Sequence, residues 1–175
     1  MTKVYLSLGS NLGDREANLR HALEHLETSG IHLLRQSSIY ETEPQDLREQ
    51  PWFLNLVVEA ETSLSPAELL TKIHAIEAQL GRKRVLPKGP RTIDIDILFY
   101  DHAVVATPEL QIPHPRLAER RFVLEPLAEL APDLRHPVTG RTVGEMLPAV
   151  AGQKIRLWNR SLAANSSLAG SNETD

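Results

Sequence analysis

Gly89-Pro90-Arg91-Thr92-Ile93-Asp94-Ile95-Asp96-Ile97-Leu98-Phe99-Tyr100 is a run of β-formers carrying two carboxylates two residues apart. Side chains alternate along a strand, so Asp94 and Asp96 share one face while Ile93, Ile95 and Ile97 share the other. Two adjacent anions cost energy on a sheet face unless a cation sits between them. An all-oxygen donor pair with no His or Cys in its segment favours a hard ion, Mg²⁺ or Mn²⁺. The loop before the strand carries Arg82, Arg84, Lys88 and Arg91, which suit a polyphosphate brought in with its metal. Alone, an Asp-x-Asp pair is more often the acidic outer face of a half-exposed strand. Placed directly after Gly-Pro-Arg, it reads as a site.

Working outward, Val4 to Leu8 is a short buried strand that ends at the turn-forming Gly9-Ser10-Asn11. Asp14 is an N-cap for a helix with an apolar face of Leu19, Ala22, Leu23 and Leu26, ending near Thr28-Ser29-Gly30. Ile31 to Tyr40 and Phe53 to Glu61 are strands. Ser65, Pro66 and Glu68 form a capping box with Pro at the first helical position, and Leu69, Ile73, Ile76 and Leu80 follow at helical spacing until Gly81. With the acidic strand, the order is β-α-β-β-α-β. That is the ferredoxin-like split pattern, an α+β fold with helices on one sheet face. A C-terminal extension adds a short strand at Ala103 to Ala106 and a helix at Arg121 to Leu130. Residues 161–175, rich in Ser, Asn and Ala, are expected to be a disordered tail.

The length of 175 residues suits one well-buried core, and 41% hydrophobic with 24% charged residues is ordinary for a globular domain. A net charge of −4 argues against broad nucleic-acid binding. The chain has no cysteine, which excludes disulfides and thiolate metal sites. No signal peptide or membrane span is expected, since no apolar run approaches ~20 residues. A cytoplasmic enzyme fits these numbers, as would many other proteins, and a monomer is expected without these numbers deciding it.

The long string around Asp94 and Asp96 closely resembles the signature of 6-hydroxymethyl-7,8-dihydropterin pyrophosphokinases, folate-pathway enzymes that move diphosphate from ATP to a pterin alcohol. The likeness extends in order through Gly9-Ser10-Asn11-Leu12-Gly13, Ser37-Ser38-Ile39-Tyr40-Glu41-Thr42-Glu43-Pro44 and Gln50-Pro51-Trp52-Phe53-Leu54-Asn55. It continues through Ile76-Glu77, Gly81-Arg82, Pro113-His114-Pro115-Arg116 and Arg120 to Leu127. It implies one pterin pyrophosphokinase domain over residues 1–160, with AMP as the released product.

By this resemblance Asp94 and Asp96 hold two Mg²⁺ ions on the triphosphate, and Arg82 and Arg91 join them as catalytic residues. Glu77, Arg82, Arg84, Arg91, Ile97, His114 and Arg120 match the ATP side. Gly9, Thr42, Phe53, Asn55 and Phe122 match the pterin side, the two rings as a stacking pair and Asn55 as the edge-reading amide. Without it, Phe53 and Phe122 would pass as core residues, Glu77 as an exposed helix residue and Ile97 as a core Ile. Asn55, an amide between Leu54 and Leu56, needs partners if buried. Trp52, beside Phe53, is expected to report ligand binding, and Trp158 to lie apart near the tail.

The chain departs from the family pattern at Lys88, where Trp commonly precedes Gly-Pro-Arg, in a loop one residue shorter. Glu109 stands where a basic residue can occur, and His74 where a Gln can. Two rivals remain from the residues alone: another Asp-x-Asp nucleotide enzyme, and a non-catalytic ferredoxin-like module. Gly9-Ser10-Asn11-Leu12-Gly13 lacks the Gly-Lys-Ser/Thr ending of a phosphate loop. Fold alone does not exclude a regulatory module.

Overall fold

A computed structural model describes residues 1–44, 49–81 and 92–159. Among these, six strands form one antiparallel sheet: β1 (Thr2–Ser10), β2 (Ile31–Gln36), β3 (Ile39–Thr42), β4 (Phe53–Thr62), β5 (Asp94–Tyr100) and β8 (Ile155–Asn159). Their order is β5-β1-β4-β3-β8, with β2 also paired to β4. β6 (Val105–Ala106) and β7 (Gln111–Ile112) form a small separate ladder. The helices are α1 (Arg15–Thr28), α2 (Pro66–Gln79), α3 (Arg121–Leu130) and the single-turn α4 (Val143–Met146).

The helix-capping signals are realised as read, whereas β1 runs on through Gly9 and Ser10, where a turn was expected, because both pair with β4. The Asp14 side chain accepts from the Ala17 amide, and Ser65 with Glu68 closes a complete capping box, which satisfies amides that the first helical turn otherwise leaves unpaired. One expected strand proves to be two. At Ser37-Ser38 the ladder is interrupted: the Ser37 hydroxyl accepts the Val57 amide at 2.9 Å and donates to the Ser38 carbonyl at 2.8 Å. The side chain thereby stands in for part of the backbone pairing.

The two core helices lie on one sheet face, as expected, and the C-terminal extension adds helices on the other. α1 and α2 cover one face, burying Leu19, Leu26, Leu69 and Ile73 against Val4, Leu6, Leu8, Leu56 and Ile95. α3 and α4 cover part of the other, where Val123, Leu124, Leu127 and Val143 pack with Tyr5, Val57 and Phe99. The extension is therefore a third layer, seated on the apolar patch that Tyr5, Val57, Leu98 and Phe99 form on that face. Leu98 stands out of register between the pairs Tyr5–Phe99 and Leu6–Ile97, so the strand places both Leu98 and Phe99 in the second core. On this second face β1 presents Tyr5, Ser7 and Gly9 in succession, and only Tyr5 belongs to the apolar cluster.

α3 is fastened at its far end. Glu129 accepts from the Ser38 amide and hydroxyl and from the Tyr40 hydroxyl, at 2.8–3.1 Å. Beneath it, buried Glu59 takes Arg35 at 2.8 Å and the Tyr5 hydroxyl at 2.6 Å. The Arg35 hydrogen bond, opposed by burial and aided by Tyr5, holds its pKa at about 2.

Candidate active site

On the face that α3 covers in part, strand register assembles one row. Asp94 pairs with Gly9, Gly9 with Asn55, and Asn55 with Tyr40. Asp96 pairs with Ser7, and Phe53 with Thr42. Asp94 and Asp96 are half-buried and share this face, while Ile93, Ile95 and Ile97 are buried on the other, as the alternation predicts. Asn55 is 4% exposed, and its Oδ1 accepts the Thr42 hydroxyl at 2.6 Å. Gly9 is required beneath it: a Cβ there would come within 2.6 Å of Asn55 Nδ2.

A cavity of about 350 Å³ opens beside the carboxylates. Leu70, His74 and Glu77 of α2 form one wall, residues 94–97 of β5 a second, and the segment holding Pro108 to Gln111 with His114 and Pro115 a third. Glu77 is buried, not an exposed helix residue as its bare sequence context suggests. Its Oε2 accepts the Ile95 amide at 2.8 Å, on the outer edge of β5 between the two aspartates. The His114 amide donates to the Leu98 carbonyl, which ties the third wall to the same strand. Its Nδ1 accepts the Arg116 amide at 3.1 Å. Burial, reinforced by Arg120 and opposed by Asp94, lowers its pKa to about 4. A neutral imidazole with its proton on Nε2 follows near pH 7.

Glu77, Asp94, Asp96, Ile97 and His114 thus line one cavity. Arg120 immediately precedes α3, with its guanidinium 5.3 Å from the Phe122 ring centre. Phe53 opens β4 and Phe122 lies in the first turn of α3. Arg82, Arg84, Lys88 and Arg91 fall outside the described residues, as does 161–175. Departures His74 and Glu109 both line the cavity. Leu70 was not anticipated as a wall residue, although Leu70, His74 and Glu77 at i, i+4 and i+7 form a helical stripe that could have shown it. Trp158 is not remote: the Arg15 guanidinium lies 5.1 Å from its ring centre, close to Trp52.

Asp94 and Asp96, two half-buried carboxylates at a cavity wall, are hard oxygen donors that fit Mg²⁺. The lining combines the carboxylates Asp94 and Asp96 with apolar Leu70, Ile97 and Leu110, which suits a small molecule carrying both characters.

Residues 5–132 match the family described as 7,8-dihydro-6-hydroxymethylpterin-pyrophosphokinase. The 2-amino-4-hydroxy-6-hydroxymethyldihydropteridine pyrophosphokinase of Methylorubrum extorquens is 49% identical over 84% of this chain and 92% of its own. That of Bacillus subtilis is 41% identical over 90% of both chains. The folic acid synthesis protein fol1 of Pneumocystis carinii is 44% identical over 87% of this chain, which spans only 21% of that longer protein. Wild-type Plasmodium falciparum HPPK-DHPS with pteroate shares the fold, with a TM-score of 0.69 at 18% identity, over 85% of this chain and 42% of that one. By the span of the match and by near full-length likeness to bacterial members, the chain belongs to the 7,8-dihydro-6-hydroxymethylpterin-pyrophosphokinase family.

Proposed function

We propose that this protein transfers diphosphate from ATP to the hydroxymethyl oxygen of 6-hydroxymethyl-7,8-dihydropterin, releasing AMP, in folate biosynthesis. The observation that carries this is the row Asp94–Gly9–Asn55 across three strands. At about 4.8 Å per strand, the carboxylate and the amide stand roughly 10 Å apart. A pterin spanning that interval is read at its far edge by Asn55 and presents its alcohol at Asp94. Phe53 and Phe122 stack on it, with Gly9 and Thr42 beside the amide. Glu77, Ile97, His114 and Arg120, with Arg82, Arg84 and Arg91, take the nucleotide.

Asp94 and Asp96 would hold two Mg²⁺ ions, which supply charge neutralisation on the triphosphate and acidify the alcohol. The alcohol oxygen bonds to the β-phosphorus as the link to the α,β-bridging oxygen breaks, so AMP leaves with that oxygen and the alcohol proton passes to water. Neutral His114 offers Nε2–H to an oxyanion, and Arg82 and Arg91 offer planar forks to developing charge. The order β5-β1-β4, with β2 and β3 beyond, supports a ferredoxin-like core within one domain of residues 1–160. We expect a monomer working in the cytoplasm. Chromatography of the nucleotide products tests the reaction: AMP should appear only with pterin present, and ADP as sole product would overturn the assignment.

A further inference from the structure

Behind the proposed pterin wall, on the opposite sheet face, lies a cluster of ions. Buried Glu41 of β3 precedes Thr42 and points away from it, toward the α1 side. Its Oε2 accepts Arg15 Nη1 at 3.0 Å, and its Oε1 accepts Arg156 Nε at 2.8 Å and Arg156 Nη2 as well. Burial raises the Glu41 carboxyl, but the two guanidiniums outweigh that and hold it below the usual carboxylate range. Arg15 Nη1 also donates to the Trp52 carbonyl at 2.8 Å, and the Arg156 guanidinium lies 5.7 Å from the Trp52 ring centre. One carboxylate therefore ties α1 and β8 to Glu41 and Trp52, each one peptide before a pterin-wall residue, Thr42 and Phe53. Arg156 lies well past the matched segment of residues 5–132.

We propose that Arg15 and Arg156 are positioning residues for the pterin, seating Thr42 and Phe53 from behind without touching the ligand. This rests on the pterin assignment above. Both guanidiniums sit on the face opposite Asn55 and Asp94, so they act only through the backbone they hold. Arg156→Ala is expected to raise the pterin KM about tenfold, leaving kcat and the ATP KM within twofold. Arg156→Lys should recover part of the loss, since an ammonium lacks the two-pronged fork. Arg15→Ala should act in the same direction, and the double variant should lose less than the product of the two. Because the Arg156 side chain is 70% exposed, the variant is expected to fold. Should it melt below assay temperature, Glu41→Gln, which keeps an acceptor and loses the charge, carries the same comparison. A pterin KM within twofold of the parent in folded variants, or an equal rise in the ATP KM, overturns the proposal. A parent enzyme that does not turn over pterin would instead overturn the functional assignment, and this inference with it.

Discussion

Asparagine at position 94 or 96 keeps the size and one acceptor of the native side chain but removes the charge that, on the proposed reading, would hold a divalent ion. Asp94→Asn or Asp96→Asn should leave the fold intact and lower turnover ~10²–10⁴-fold, about 3–5 kcal/mol of barrier. The double variant should lose less than the product, because both side chains serve one site. Steady-state rates across a Mg²⁺ titration, beside melting curves, check this; near-normal rates in a folded double variant would end the metal assignment. Gly9→Ala makes a separate test on the pterin side. A methyl 2.6 Å from Asn55 Nδ2 must displace the amide from its place beside Thr42. We expect the pterin KM to rise roughly tenfold or more with the ATP KM unchanged, about 1.4 kcal/mol per decade; matched steady-state titrations of the two substrates decide it. Both residue types were legible in sequence because each stands within a short motif. Glu77 was not legible on its own, because the partner that buries it, the Ile95 amide, lies across the fold.

Helices α1 and α2 could be read to within a residue or two because capping depends on side chains three residues apart. The docking of α3 could not, since Glu129 meets Ser38 across 91 positions of sequence. Glu129→Ala removes the acceptor of the Ser38 amide and hydroxyl, a cost of about 1–2 kcal/mol. The variant should melt several degrees lower, and an unchanged melting temperature would mean that α3 is held by its apolar face alone. Glu59 gives the same layer its acid sensitivity. Its folded pKa of about 2 lies below the ordinary value, so its contribution is complete above about pH 4.5 and fades as pH falls toward 2. Glu59→Gln should therefore destabilise most at neutral pH, by about 2–3 kcal/mol, with the gap to wild type closing through that window. Urea unfolding at pH 7 and pH 3 reads the difference; a gap independent of pH would refute it.

For the molecule as a whole, composition and element order were enough for an α+β sheet protein with an acidic-strand site, yet not for a sheet covered on both faces. That layer depends on which side of β1 and β5 each apolar residue points, and on the bulge at Leu98 that redirects the strand end. The same long-range pairing brings β8 onto β3 and sets Trp158 and Trp52 beside one cationic cluster. Neither tryptophan is then a lone reporter. Trp52→Phe and Trp158→Phe should each keep part of the fluorescence change on pterin binding, and only the double variant should lose it. A full response in either single variant, with none in the other, would show that the two rings do not sense one environment.

Along β1, the face that leads to the carboxylates steps from phenol to hydroxymethyl to hydrogen, at Tyr5, Ser7 and Gly9. The strand is a ramp. Its high end is embedded in aromatic packing with Phe99, and its low end gives the Asn55 amide somewhere to rest. Position 7 is the middle tread, buried and paired with Val57 on one side and Asp96 on the other. A side chain larger than serine has no free room there, so the slope from aromatic packing to bare backbone is fixed by three successive sizes on one strand.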